Sequence, residues 1–523
     1  MKLPHPNNII EAWESNDYFR PLFGKDLSSW KGWRTFLKAL YGIPFADDEE
    51  RLLFQLGTLR ETPSAEGYPE AYAIVGRRGG KSRISSLIAA FEAVLGGWSE
   101  RVAAGERAWV FVIATDKSQA GIILNYCRAF LHLFDDPKEP RESLVEREGV
   151  DEIHLRNGIS VAVKPCTFRA SRGYSTCCVI ADEIAFWRDE NSANPAAEII
   201  TSILPGLIPG AKLIGISTPY GRMGYLYDIH REHFGKAESD FLVWQADTRT
   251  MNPLYDEAMI KRLVKRDPIA MRAEYDAQFR EDVTAFLPLE LIELSMVRQL
   301  ALPNPGHTYT CFCDPSGGRH DSMTLAICHC ENEKIVLDRI EERHPPFDPQ
   351  AVVKEFSDMI KAYGCHSATS DRFGGVWVSD SFQKQGIRMD MSDLSASDLY
   401  LNFAALLNSG RVELVEHDRL KVQLQSLERR TGQMGKDKVD HPPGLHDDLA
   451  NAVAGAVVMV SHDRAWTAEE QSARMPMKSG HRADRFMSPS LAAGRRREEI
   501  RQDADAEMAA FMKESGCSTI IRG

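Results

Sequence analysis

The sequence predicts an α/β chain built on two separate sheets, and three observations carry that prediction. Apolar runs at Ala71–Val75, Ala108–Ala114, Cys177–Ala181 and Lys212–Ile216 read as buried strands. Helical patterns lie between them at Ser82–Leu95, Ser118–Phe134 and Pro195–Leu204, and such alternation implies a mostly parallel sheet covered by helices. A second alternation begins near His307. There Thr308–Cys313, Met323–Cys330 and Lys334–Ile340 read as a meander, followed by a helix at Pro349–Tyr363, a strand at Ser367–Ser370 and helices at Ala396–Leu407 and Asp447–Val460. Between the two lies Phe286–Pro305, whose Pro288, Pro303 and Pro305 mark it as a connection.

These patterns divide the chain. Residues 1–70 form a helical segment with aromatic anchors at Trp13, Tyr18, Phe19, Trp30, Trp33 and Phe36. Residues 71–285 form the first α/β domain, 286–306 the connection, 307–462 the second α/β domain and 463–523 a polar tail. Within the tail, Lys478–Arg497 is rich in Ser, Gly and Arg, and a short helix is expected at Glu498–Lys513. It reads equally as a partner-binding segment or a disordered end. No internal repeats are evident.

A chain of 523 residues can bury a sizeable core, and its 43% hydrophobic and 26% charged residues are ordinary for a globular protein. The net charge of -12 counts against coating nucleic acid by bulk charge, though not against a local basic face. No apolar run is long enough to span a membrane, and the start, Met1 to Pro6, has no apolar signal-peptide core, so a cytosolic setting is expected. The ten cysteines fit it: none forms a C-x-x-C pair. Cys311/Cys313 and Cys328/Cys330 alternate within strands and read as buried small apolar residues rather than a zinc site.

The strongest chemical signal is Gly76-Arg77-Arg78-Gly79-Gly80-Lys81-Ser82, which follows one strand and opens a helix. This is the setting of a phosphate-binding P-loop. Gly76, Gly79 and Gly80 let backbone N–H groups turn toward phosphates, and the helix N-terminus adds a favourable dipole. Lys81 would reach the β- and γ-phosphates of ATP, and the Ser82 hydroxyl would hold Mg²⁺. Val75 stands where the general pattern has glycine. The bland alternative is a glycine-rich turn with an exposed lysine.

The strand Cys177–Ala181 ends in Asp182-Glu183. Asp182 fits a Mg²⁺-holding role and Glu183 that of a general base acting on water. The alternative is a solvated acidic strand end. A further strand ends in Ser217-Thr218-Pro219, which reads either as a γ-phosphate sensor coupling hydrolysis to motion or as an ordinary strand-to-turn cap. Arg77 and Arg78 are candidates for stabilising transition-state charge, or loop arginines paired with a nearby acid.

In the second domain, Asp314, Asp371 and His446-Asp447-Asp448 each lie at the end of an element, with Asp321 close to Asp314 in sequence. Carboxylates converging from different elements are what a two-metal nuclease uses, and hard oxygen ligands favour Mg²⁺ or Mn²⁺. Helix caps and turn residues are the competing reading for each alone.

Taken in order, the loop, Ala114-Thr115-Asp116-Lys117-Ser118-Gln119-Ala120, Ile180-Ala181-Asp182-Glu183, Ser217-Thr218-Pro219, Asp314-Pro315, Asp371-Arg372 and His446-Asp447-Asp448-Leu449-Ala450-Asn451-Ala452 resemble the large subunit of a tailed-phage DNA-packaging terminase. The resemblance runs from about Tyr41 to about Val460. It implies a packaging ATPase followed by an RNase H-like nuclease domain, with Asp314, Asp371 and one or both of Asp447 and Asp448 as metal ligands. It implies double-stranded DNA, a portal ring and a small terminase subunit as partners, a homo-oligomeric ring on the portal, and a place in the cytoplasm of a bacterial host. It makes the departure at Val75 a family trait and Gln55 a candidate adenine contact. Two other readings remain at this level: a helicase-like translocase-nuclease of restriction or repair, and a degenerate ATPase serving as a structural adaptor.

Overall fold

The computed structural model describes residues 6–463, apart from 25, 116, 136–142, 167–172, 190–191, 193, 372–374 and 432–436. The expected tail helix and Arg372 to Gly374 therefore lie outside the described residues, as do Asp116 and the side chains of Lys117 to Gln119. Two compact units divide the chain; the first takes in the described residues up to Trp187 and Asn194–Glu281, and the second takes in Arg188–Ala193 and the described residues from Asp282 onward.

The first unit opens with helices α1 (Ile9–Glu14), α2 (Lys31–Leu40) and α3 (Asp48–Thr58). Next come β1 (Glu70–Val75), α4 (Lys81–Leu95), β2 (Ala108–Ala114), α5 (Lys117–Leu131), β3 (Val145–Glu148), β4 (Glu152–Leu155), β5 (Ile159–Pro165) and β6 (Ser175–Asp182). It continues through α6 (Pro195–Ile203), β7 (Leu207–Ser217), α7 (Tyr225–His233) and β8 (Phe241–Ala246), and closes with α8 (Thr248–Met251), α9 (Glu257–Val264) and α10 (Pro268–Asp276). The strands form one sheet in the order β3-β4-β5-β2-β6-β7-β1-β8. From β5 to β8 every pairing is parallel; only β3–β4 and β4–β5 are antiparallel.

Parallel strands buried on both faces explain the near-continuous apolar runs seen in the sequence. Alternate residues feed two cores. Val110 and Val112 pack with α2, α4 and α5 on one face, while Phe111 and Ile113 pack with α6 and α7 on the other. The N-terminal aromatic anchors belong to the first core: Trp13, Phe19, Trp33 and Phe36 are fully or almost fully buried. At the start of α3, the Asp47 side chain accepts from the Glu50 backbone N–H, and the buried Glu50 carboxylate accepts from Lys38 and Arg34 of α2. The helical segment is thus bolted together by a buried ion pair before it meets the sheet.

The second unit comprises β9 (Val283–Ala285), α11 (Leu289–Ser295), β10 (Met296–Arg298), β11 (Tyr309–Asp314), β12 (Met323–Glu331), β13 (Lys334–Arg343), α12 (Pro349–Ala362) and β14 (Ser367–Ser370). It is completed by α13 (Gly375–Lys384), β15 (Arg388–Met391), α14 (Ala396–Asn408), β16 (Val412–Val415), α15 (Asp418–Ser426), β17 (Glu428–Thr431), β18 (Asp437–Asp440) and α16 (Asp448–Asp463). Its main sheet runs β10-β16-β13-β12-β11-β14-β15. The central five, numbered along the chain from β11, stand in the order 3-2-1-4-5. The first three are antiparallel, and the last two are parallel to the first. That is the RNase H-like arrangement, and the fold class expected from the sequence stands.

One expectation needs correcting. Residues 286–306 are not a bare connection: α11 and β10 lie in this stretch, and β10 pairs with β16 at the sheet edge. Residues 283–285, counted with the first domain, form β9, which pairs with β17 of the second unit. Both strands are only three residues long, too short for a period-two pattern to register against flanking prolines. The cysteine expectation for β11 and β12 holds in geometry. Cys311 and Cys313 share one core with Cys365, and Cys328 faces the other.

Helix α16 crosses β11 at a glycine. A Cβ built on Gly455 would collide with the Phe312 ring, although alanine is the better helix former. Gly455→Ala is therefore expected to destabilise the fold by about 1–3 kcal/mol through overpacking. It should also weaken any activity that needs the α16 and β11 ends in register. Chemical denaturation checks it; a variant as stable as the parent would show that the helix can shift freely.

Candidate active sites

In the first unit, β1 delivers the loop and β6 delivers the acids, with β7 between them. The register pairs Ile74 with Ser217 and Asp182 with Ile216, so all three strand ends meet at one edge. Gly80 adopts a φ of +92° as it hands the chain to α4. Lys81 is buried, and its ammonium donates to the Val75 carbonyl at 3.0 Å and lies 3.9 Å from Glu183 Oε1. Burial pulls Lys81 below the ordinary lysine range, against the opposing charges of Glu183 and Asp182. Ser82 is half-buried in the first turn of α4.

Asp182 is buried at the end of β6, and its Oδ1 has no hydrogen-bond partner. Burial, then the charge of Glu183, push its carboxyl up to about 7. Such an orphaned carboxylate oxygen, beside a loop suited to phosphates, fits a divalent cation. Glu183 sits in the left-handed region at φ +49°, unusual for a non-glycine residue. Its Oε2 accepts from Ser217 Oγ at 3.0 Å and from the Thr218 backbone N–H at 3.2 Å. The candidate base and the candidate coupling residues are therefore joined directly.

The loop arginines differ. Arg77 Nη1 lies 3.2 Å from Glu274 Oε2 of α10, the paired-arginine alternative. Arg78 is exposed at φ +63°, with no side-chain bond among the described residues. Gln55 is half-buried on α3, and no described hydrogen bond joins its side chain to the loop. Three side chains that the sequence did not connect to the loop, Trp33 having been read only as an aromatic anchor, do hold it: Trp33 Nε1 donates to the Gly79 carbonyl, Thr248 Oγ1 to that of Arg77 and Asn252 Nδ2 to that of Arg78. They lie up to 174 residues away in sequence, where no local motif could flag them.

In the second unit, β11 and β14 are parallel neighbours with Cys313 opposite Ser370, so Asp314 and Asp371 leave the sheet side by side. The start of α16 docks on the same edge. Thr324 Oγ1 of β12 donates to the Asp448 carbonyl at 2.8 Å, and Asn451 Nδ2 donates to Asp314 Oδ2 at 2.8 Å. Burial first, then the charge of Asp371 and more weakly those of Asp448 and Asp447, raise Asp314 well above the usual carboxylate range. Burial and Asp447 push Asp448 up to about 6, and its Oδ2 is buried without a partner. Asp447 is differently placed: Tyr400 donates its phenol O–H to Asp447 Oδ2 at 2.7 Å, and His441 Nε2 lies 3.9 Å from Oδ1. Asp321 is 3.4 Å from His446 Nδ1. Crowded carboxylates, raised together and with one oxygen unsatisfied, are a donor set suited to hard divalent cations.

Residues 57–214 match the family model described as terminase large subunit, ATPase domain. This segment belongs to the terminase large-subunit ATPase family. The terminase ATPase segment takes in the loop, Asp182, Glu183 and most of β7. Among solved structures, the chain is similar to the HK97 bacteriophage large terminase, at 16% identity over 79% of this chain and 95% of that one, with a TM-score of 0.38. It is similar to the large terminase of a thermophilic bacteriophage at 13% identity over 80% and 99%, TM-score 0.34. The large terminase nuclease of thermophilic phage G20c with bound magnesium gives 17% identity over 32% and 95%, TM-score 0.29. No curated protein matches the sequence. No helix among the described residues is long and apolar enough to cross a membrane.

Proposed function

We propose that this chain drives double-stranded viral DNA into a procapsid at the expense of ATP and cuts concatemeric DNA with a metal-dependent endonuclease site. One observation carries the reading: a terminase-family ATPase segment shares its chain with a 3-2-1-4-5 sheet whose edge gathers Asp314, Asp371 and Asp448.

In the motor, the loop Gly76 to Gly80 and Lys81 bind the phosphates of ATP, and Ser82 and Asp182 hold Mg²⁺. Glu183 takes the proton of the attacking water. Its carboxylate already bonds Ser217 and Thr218, so any change in its charge is felt at once by the end of β7. Arg78 is the freer of the two candidates for transition-state charge, since Arg77 has first to leave Glu274. Gln55 is kept as an adenine contact on the family resemblance alone.

In the nuclease, Asp314, Asp371 and Asp448 hold the divalent ions, while Asp447, engaged by Tyr400, orients the start of α16. Mg²⁺ or Mn²⁺, held by these carboxylates, would supply an activated water and charge stabilisation for the leaving oxygen of the phosphodiester. The partners that go with this function are a portal ring and a small terminase subunit, with the chain acting as a homo-oligomeric ring in the host cytoplasm.

The test is one assay with two readouts. Purified full-length chain is incubated with linear and supercoiled DNA, with and without ATP and Mn²⁺, and both phosphate release and DNA cutting are followed. ATP turnover and Mn²⁺-dependent cutting are both expected. Strand separation of a forked duplex would favour a helicase instead, and failure to bind ATP with Mg²⁺ would leave a structural adaptor.

A further inference from the structure

We infer that Trp33, Thr248 and Asn252 form an outer clasp that fixes the phosphate loop in its anion-binding form before nucleotide arrives; the inference rests on the ATPase reading above.

The carbonyls of the loop are engaged one after another. Val75 O accepts from Lys81 Nζ at 3.0 Å and Gly76 O from the Gly79 N–H at 3.1 Å. Arg77 O accepts from Thr248 Oγ1 at 2.8 Å, Arg78 O from Asn252 Nδ2 at 2.8 Å and Gly79 O from Trp33 Nε1 at 2.6 Å. The last three donors come from outside the strand–loop–helix unit. A carbonyl oxygen carries partial negative charge, so one that rotated toward the phosphates would repel them. A carbonyl tied outward turns the N–H of the same peptide toward the concave side. Behind the Arg77 and Gly79 carbonyls these are the Arg78 and Gly80 N–H groups, which can meet an anion, while the Gly79 N–H behind the Arg78 carbonyl closes the turn on Gly76 O.

Two further features single out these positions. Arg78 is held in the left-handed region without being glycine, and the Asn252 amide caps the carbonyl of that same strained residue. Thr248, fully buried, packs so close that a Cβ on Gly76 would collide with its hydroxyl. Trp33, also fully buried, closes the other side, its ring reaching the loop from α2. The helical N-terminal segment and the turn after β8 thereby share one task. They remove the freedom that nucleotide binding would otherwise have to freeze out. These are positioning residues, since none is aimed at a reacting atom.

The signature of such a role is a split between KM and kcat. Asn252→Ala, Thr248→Val and Trp33→Phe each delete one donor while keeping most of the side chain's volume or, for Asn252, removing a half-buried group. Each is expected to raise KM for ATP and Kd for Mg-ADP about fivefold to tenfold, the worth of one lost hydrogen bond. The kcat should stay within about twofold once ATP saturates the site, since the bound loop is the same. Thr248→Ser, which keeps the hydroxyl, should restore parental affinity. The measurements are Mg-ADP titration calorimetry and steady-state phosphate release on the full-length chain. If the parent binds Mg-ADP and Asn252→Ala binds it equally well, the clasp is overturned and the ATPase reading survives. If the parent itself binds no Mg-ADP, the ATPase reading falls and takes the clasp with it. Should Thr248→Val fail to fold, Asn252→Ala decides alone.

Discussion

Glu183→Gln is expected to lower ATP turnover by about 10²–10⁴-fold while leaving nucleotide binding intact. Glutamine keeps the shape of the side chain and an oxygen that can still accept from Ser217 Oγ and the Thr218 N–H. It cannot take up a proton. The loss should therefore fall on kcat rather than on affinity, the reverse of the split expected for the clasp. Removing the charge has a second consequence. Asp182 is pushed up to about 7 partly by Glu183, so its carboxyl should ionise more readily in the variant. Mg-ADP should then bind as tightly as in the parent or more so. Phosphate release and calorimetry on the same preparation separate the two effects. Turnover within tenfold of the parent would remove Glu183 from the role of base. Mn²⁺-dependent cutting of DNA should persist in this variant.

Asp448→Asn should do the opposite: cutting falls by about 10³-fold or more, since a ligand to a charge-stabilising cation is worth several kcal/mol, and ATP hydrolysis continues. Asp314→Ala should behave alike. Asp447→Asn should cost only about 10–100-fold in metal affinity, as expected for a residue that orients a ligand rather than being one. Equal losses at Asp447 and Asp448 would show that both bind metal.

The same variant carries a stability signature. Asp448 is raised from an ordinary carboxyl to about 6 by burial and Asp447, so the folded chain holds this proton more tightly than the unfolded one. Without divalent cation, stability should be highest below about pH 4 as far as this group is concerned. It should be lost as pH rises through about 6, by about 1–3 kcal/mol. Asp448→Asn removes that penalty, and the cation-free variant should be more stable than the parent at pH 8 and equal to it at pH 4. Adding Mn²⁺ should narrow the gap from the parent's side. Thermal melts at the two pH values, with and without Mn²⁺, read this directly. A variant less stable than the parent at pH 8 would place Asp448 in a structural role.

Much of this was legible in the sequence because it is local. Strand, loop and helix around Gly76 to Ser82 are contiguous, and glycine spacing with Lys81-Ser82 announces phosphate chemistry without any tertiary knowledge. The parallel sheet showed in the same way: strands buried on both faces, such as β2 and β6, must be apolar almost throughout. The meander β11–β12–β13 and the acids at strand ends could be read because short connections keep consecutive strands adjacent. The three-residue strands β9 and β10 escaped, being too short to carry periodicity.

By itself, then, the sequence determined the α/β class, the order of the two domains and the kinds of groups brought to each site. Only the tertiary structure decided how those groups are shared out. Asp447 and Asp448 are neighbours in sequence and chemically identical. One turns to the Tyr400 hydroxyl and the other keeps a buried oxygen unsatisfied, because α16 is pinned by Thr324 and Asn451 at one angle. Arg77 and Arg78 are likewise told apart by Glu274 of α10, which pairs with the first, and by the left-handed backbone of the second. The donors that hold the loop come from Trp33, Thr248 and Asn252, which nothing local connects to it. Hydrogen bonds and desolvation act over a few ångströms of space, whatever the separation along the chain. A side chain's type is written in the sequence, but its partner is chosen by packing.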